Sequence, residues 1–79
     1  MNRRETESFV YIVNSIQIIN DRIREGIILM DKNNGIIQSV EYKYKSKRII
    51  VNSLLNESII TYIIPDNQFK STFLNILEG

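Results

Sequence analysis

The 79-residue chain carries ten Lys and Arg against nine Asp and Glu, a formal net charge of +1, and has neither cysteine nor histidine. That length holds one domain, and a domain so short buries only about 60% of the surface its unfolded chain exposes. Disulfides, thiolate zinc sites and histidine-based catalysis are excluded together, and the balanced charge argues against a general polyanion binder.

The stretch Met1–Glu7 turns acidic before any apolar run begins, which is not the pattern of a secretory signal peptide. Residues 1–5 are expected to be disordered. Phe9, Ile12, Val13, Ile16, Ile19 and Ile23 then recur at helical spacing and form one stripe. Thr6 is placed to cap the helix, with Glu5 and Glu7 at the positive end of its dipole. Arg22 and Arg24 stand at the negative end, and Gly26 can take the left-handed C′ position. These signals predict a helix over about 6–25.

For Ile27–Asp31 two readings compete. A short strand leading into an Asn33-Asn34-Gly35 turn is preferred, since Asn-Gly is a strong hairpin signal. Alternatively Ile27 and Met30 continue the helical stripe, and Gly35 caps it.

From Ile36 the period is two: Ile36, Gln38, Val40, Tyr42 and Tyr44 face one way, Ile37, Ser39, Glu41, Lys43 and Lys45 the other. Ser46-Lys47 turns the chain, Arg48 to about Leu54 returns, and Asn56-Glu57 turns it again. The strand Ser58–Ile64 is apolar on both faces, which places it inside the sheet, covered on both sides, or at an interface. Pro65 stops it. Asp66 or Asn67 is expected to cap a last helix whose Phe69, Phe73, Ile76 and Leu77 share a face. The order of elements predicts an α+β fold in one compact domain over residues 1–79: helix, antiparallel meander of three or four strands, C-terminal helix.

Chemistry-bearing groups do not assemble. Asp21 and Glu25 lie one helical turn apart beside Arg22 and Arg24, while Asp31, Glu41 and Asp66 stand alone. No Walker loop or Gly-rich dinucleotide motif is present, and the seven serines have no histidine to activate them. The expectation is a non-catalytic protein with no cofactor and no metal.

Two surfaces remain as candidates. Lys43, Lys45, Lys47 and Arg48 cluster around a hairpin tip and, with Tyr42 and Tyr44, could hold a single-stranded nucleic acid. In a strand, however, the tyrosines and lysines take opposite faces, which favours a solvated tip over a nucleic-acid grip. Tyr11 and Ile18 align seven residues apart, away from the core stripe, with Val10 flanking. A helix of a small monomer should be polar there, so these residues and the Ile59–Ile64 strand are read as a partner surface, in a homodimer or with another protein.

Sixteen isoleucines and nine asparagines without one alanine indicate an AT-rich gene, as in a low-GC bacterium, its phage or a plasmid. The leading expectation is a small protein-binding inhibitor that occupies a surface, for example on a host enzyme or defence nuclease in the manner of anti-CRISPR proteins. A nucleic-acid-binding regulator using residues 42–48 is the alternative. No run approaches the ~18 apolar residues of a membrane span, and a cytoplasmic location is expected.

Overall fold

The computed structural model describes residues 3–78, with 3–7 and 78 described by their backbone alone. Helix α1 spans Arg3–Arg24 and strands β1, β2 and β3 span Ile36–Lys43, Arg48–Leu55 and Ser58–Pro65. A 3-10 turn, Asp66–Gln68, leads into helix α2, Phe69–Glu78. The predicted α+β meander, in its three-stranded form, is the observed fold.

The end of α1 follows its sequence signals. Gly26 sits at φ 87°, its N–H donates to the Ile23 carbonyl, and the Ile27 N–H donates to Arg22. Both bonds are those of a Schellman cap, which needs a left-handed residue at this point. The start differs. Nothing in Arg3–Glu5 breaks a helix, so α1 begins at Arg3 and Thr6 lies inside it rather than capping it. Of the expected disordered stretch, Met1 and Asn2 lie outside the described residues.

Residues 27–31 form neither the preferred strand nor a helical extension. Their pairing is one bridge, Met30 to Ile36, flanked by two bonds, from the Ile37 N–H to the Leu29 carbonyl at 2.8 Å and from the Asp31 N–H to the Gly35 carbonyl at 2.9 Å. A β-bulge follows at Gln38. Ile37 pairs with Ser53 but Ser39 pairs with Asn52, so Gln38 is the extra residue. A bulge bends its strand, and β1 leaves residues 27–30 behind after two residues. The same bulge corrects the expected alternation of faces. Ile37, Val40 and Tyr42 point into the protein, while Gln38 and Ser39 are both exposed.

The hairpins close as their residues allow. Asn56 and Glu57 take φ of 52° and 69°, the two positive values of a type I′ turn. Val51 stands between Val40 and Tyr62 in a regular β1-β2-β3 ladder. β3 is therefore an edge strand rather than an interior one, so of the two expectations for its apolar faces the interior placement is excluded.

Both helices lie on one face of the sheet. The buried core is Ile12, Ile16 and Ile19 from α1, Ile37 and Val40 from β1, Ile49 and Val51 from β2, and Phe69 and Phe73 from α2. Ile76 and Leu77 pack at its margin, as the i, i+4, i+7, i+8 spacing predicts. Phe9 and Val13, expected in the core, are at its rim instead. Ser15 is buried, so the inward arc of α1 is rotated towards α2, where Tyr11 meets Phe69 edge-on at 6.2 Å. Phe9 is left to cover Tyr42 and Tyr44, at 5.9 and 6.3 Å between ring centroids.

No side chain caps the helical turn after Pro65. Asp66, expected in that role, instead accepts a hydrogen bond from the Tyr42 hydroxyl at 3.0 Å, and the other candidate, Asn67, is exposed. At the far end of α2, Arg22 donates from Nη1 to the Ile76 carbonyl at 2.8 Å, tying the two helices together.

Candidate partner surface

Because both helices cover one face of the sheet, its other face is open, and the ladder register determines what it displays. Ile36, Leu54 and Ile59 form one cross-strand row, and Glu41, Ile50 and Ile63 form another. Between them runs a hydrogen-bonded polar row. Thr61 Oγ1 donates to Asn52 Oδ1 at 2.7 Å, and Asn52 Nδ2 donates to Ser39 Oγ at 3.0 Å. Ile59 and Ile63 are 60% and 65% exposed, while Ile50 and Leu54 are half-buried by their neighbours. One end of the face is basic. Lys43 pairs across to Arg48, and Lys45 and Lys47 stand exposed in the connecting turn.

The cations are thus gathered as the sequence suggested, but of the two rings beside them Tyr42 is turned inward and only Tyr44, 60% exposed, stays open. Tyr42 points inward to Asp66, and burial, then the hydrogen bond and the charge of that carboxylate, push its pKa up to about 12. Tyr44 packs edge-on against Phe9. Lys43 also holds an ion pair with Glu41 at 2.9 Å.

Val10, Tyr11 and Ile18 are 48%, 39% and 46% exposed, on the helix layer. Tyr11 has more cover than a helical wheel implies, since α2 supplies Phe69 and the Lys70 ammonium lies 5.9 Å from its ring. These residues and the open sheet face lie on opposite sides of the molecule, so the structure does not combine them into one patch.

The acids remain dispersed. Asp21 pairs with Arg24 at 3.4 Å. Asp31 Oδ1 accepts from the Asn33 and Gly35 N–H groups, at 2.8 Å each. Burial raises the Asp31 pKa, but hydrogen bonds from Ser53, Gly35 and Asn33 outweigh it and hold the carboxyl below its usual 3.8. Asp31 Oδ2 and Ser53 Oγ are both buried and meet in less than ideal hydrogen-bond geometry. Gly35 makes room for this carboxylate, since a Cβ there would stand 2.8 Å from Oδ2. Among the described residues no three carboxylates gather as a metal site, and no helix is long and apolar enough to cross a membrane.

Two features had no signal in the spacing of residues. Asn20, a polar residue on α1, pairs with the outer edge of β1: its Nδ2 donates to the Val40 carbonyl at 2.9 Å and its Oδ1 accepts the Val40 N–H at 3.2 Å. The second is a groove of about 420 Å³ between β3, residues 30–33 and α2. Compared with family models, curated proteins and solved structures, the chain matches none.

Proposed function

We propose that this chain is a non-catalytic binding protein that acts in the cytoplasm by laying its open sheet face on an apolar, acid-rimmed surface of another protein. The observation that carries the reading is the uncovered face itself. Leu54, Ile59, Ile50 and Ile63 form two apolar patches on a small domain, rimmed at one end by Lys43, Lys45, Lys47 and Arg48. A patch with a charged rim is the anatomy of a protein interface, and the cations select an acidic border on the partner. In the AT-rich setting of a phage or mobile element, such a module is an inhibitor that blocks a host enzyme or defence nuclease by occupancy. With Tyr42 turned inward, Tyr44 alone of the pair is open to stack on a base, which favours this over the nucleic-acid reading.

The test places photoreactive benzoylphenylalanine at Ile50, which faces out from the central strand. One protein should be cross-linked in the host, and the purified pair should bind with a stoichiometry of about one to one. Ile50→Lys with Leu54→Lys should then weaken that complex at least ~30-fold, since truncating or charging a central contact removes about 2 kcal/mol or more. Circular dichroism should stay native. Undiminished affinity would exclude the sheet face. Retention on heparin that collapses with salt, and is lost in Lys43→Glu with Lys45→Glu, would favour the nucleic-acid reading instead.

A further inference from the structure

The two edges of the sheet are treated differently. On the outer edge of β1, the Asn20 amide satisfies both backbone groups of Val40 and the Leu29 carbonyl takes the Ile37 N–H. The Gln38 bulge and the charges of Glu41 and Lys43 add the usual protections of a strand end-row. β3 has none of these. Among the described residues only β2 pairs with it, it holds eight residues without a bulge, and no residue from Ser58 to Pro65 is charged. An edge of that kind is a template for another strand.

We propose that the free edge of β3 pairs with β3 of a second copy of this chain, antiparallel about a two-fold axis at Thr61, making one six-stranded sheet. A two-fold operation sets strands antiparallel and matches a surface to itself, so any charge on it would meet its like. β3 carries none. The axis position follows from the faces. With the axis at Thr61, Ile59 stands opposite the second copy's Ile63, and Ile60 opposite its Tyr62. Thr61 meets Thr61, a favourable cross-strand pair, and the polar row Ser39–Asn52–Thr61 runs on into its own copy. Moving the axis to Ile60 or Tyr62 would set Thr61 against an exposed isoleucine. Thr61 is also the middle residue of Ser58–Ile64, so Pro65 falls outside the paired stretch and removes no hydrogen bond from it.

The groove runs under the sheet, with Ile37 of β1 and Val51 of β2 in its lining, and reaches the inner face of β3. Tyr62 and Ile64 line it on one side and Gln68, Thr72 and Ile76 of α2 on the other. The groove sets α2 back from β3, which leaves room under the joined sheet for inward-facing Ile60 and Tyr62 of the second copy. The pairing shares Ile59 and Ile63 with the open face but leaves Ile50 and Leu54 free. Its readout is self-association, so its failure is distinguishable from failure of the proposed partner binding, which is read at Ile50 and Leu54.

Light scattering between ~5 and ~500 μM, the range in which a weak edge interface saturates, should show a dimer at the upper end. Ile59→Lys with Ile63→Lys sets like charges opposite each other twice and should weaken association at least ~100-fold. Ile59→Lys with Ile63→Glu sets opposite charges in the same two places and should restore the dimer. The native chain has no cysteine, so Thr61→Cys should oxidise to a covalent dimer, while Ser39→Cys on the closed side should not. Circular dichroism identifies any variant that has failed to fold, and the cysteine pair then carries the decision. A wild type that stays monomeric at ~500 μM overturns the proposal, as does a dimer indifferent to the double lysine. Monomers that take up an extended segment of another protein along β3 would overturn it too.

Discussion

Tyr42 and Asp66 are 24 positions apart, and neither reads as the partner of the other. The phenol donates to the carboxylate at 3.0 Å, and the folded chain holds its proton up to about pH 12 rather than 10. An unfolded chain releases that proton near 10, so this contribution to stability is complete below about pH 10 and is lost as pH rises towards 12. Urea melts at pH 9 and 11.5 should show that loss in the wild type, and Tyr42→Phe should reduce it. Equal losses in both would remove Tyr42 as its source. Asp66 also shows why a cap is hard to read locally. An aspartate before a helix has the right chemistry for its N-terminal N–H groups, but a buried hydroxyl across the fold competes for the same oxygens.

At the level of elements, several local signals held, although Thr6 as a cap did not. Gly26 at the end of α1, the two positive φ angles at Asn56-Glu57 and the Phe69–Phe73 stripe all follow from neighbours within a turn. Features set by the width of the sheet did not. Three strands give α1 a narrow floor, and the docking of α2 turned its inward arc past Phe9 and Val13. β3 looked interior because both its faces are apolar, yet nothing in one strand states how many neighbours it will have. The bulge was the other hidden element, since one extra residue leaves the composition of β1 unchanged while exchanging its faces. Deleting Gln38 should therefore restore a regular ladder with Ile37 and Val40 still inward, and the melting temperature should move by only a few degrees. Deleting Glu41, which is in register with Ile50, reverses every face upstream and should abolish the fold. If the Gln38 deletion unfolds the chain as readily, the bulge is needed for more than accommodation.

For the whole molecule, the candidate sites separate into faces. The helix-layer residues Val10, Tyr11 and Ile18 were the sharpest sequence candidates for a partner, but α2 already covers part of Tyr11. The sheet side, of which the Ile59–Ile64 strand and the basic cluster Lys43–Arg48 stood out in the sequence, is the face that neither helix covers. Asn20 gives this arrangement a further consequence. A sheet with two receptive sides can add copies without end, whereas one with a single receptive side is complete after one joining event. In the proposed pair, the amide that occupies the backbone of Val40 acts as a chain terminator together with the Leu29 carbonyl on Ile37 and the Gln38 bulge, and the valence is one. Asn20→Leu should free the Val40 stretch of that side, at a cost of about 1–3 kcal/mol for the unpaired backbone groups, and let pairs add further copies there. Scattering mass that climbs with time in this variant, while the wild type holds a plateau, is the expected result. An Asn20→Leu protein that remains folded and holds the wild-type mass would show that the far edge is closed by something other than this side chain.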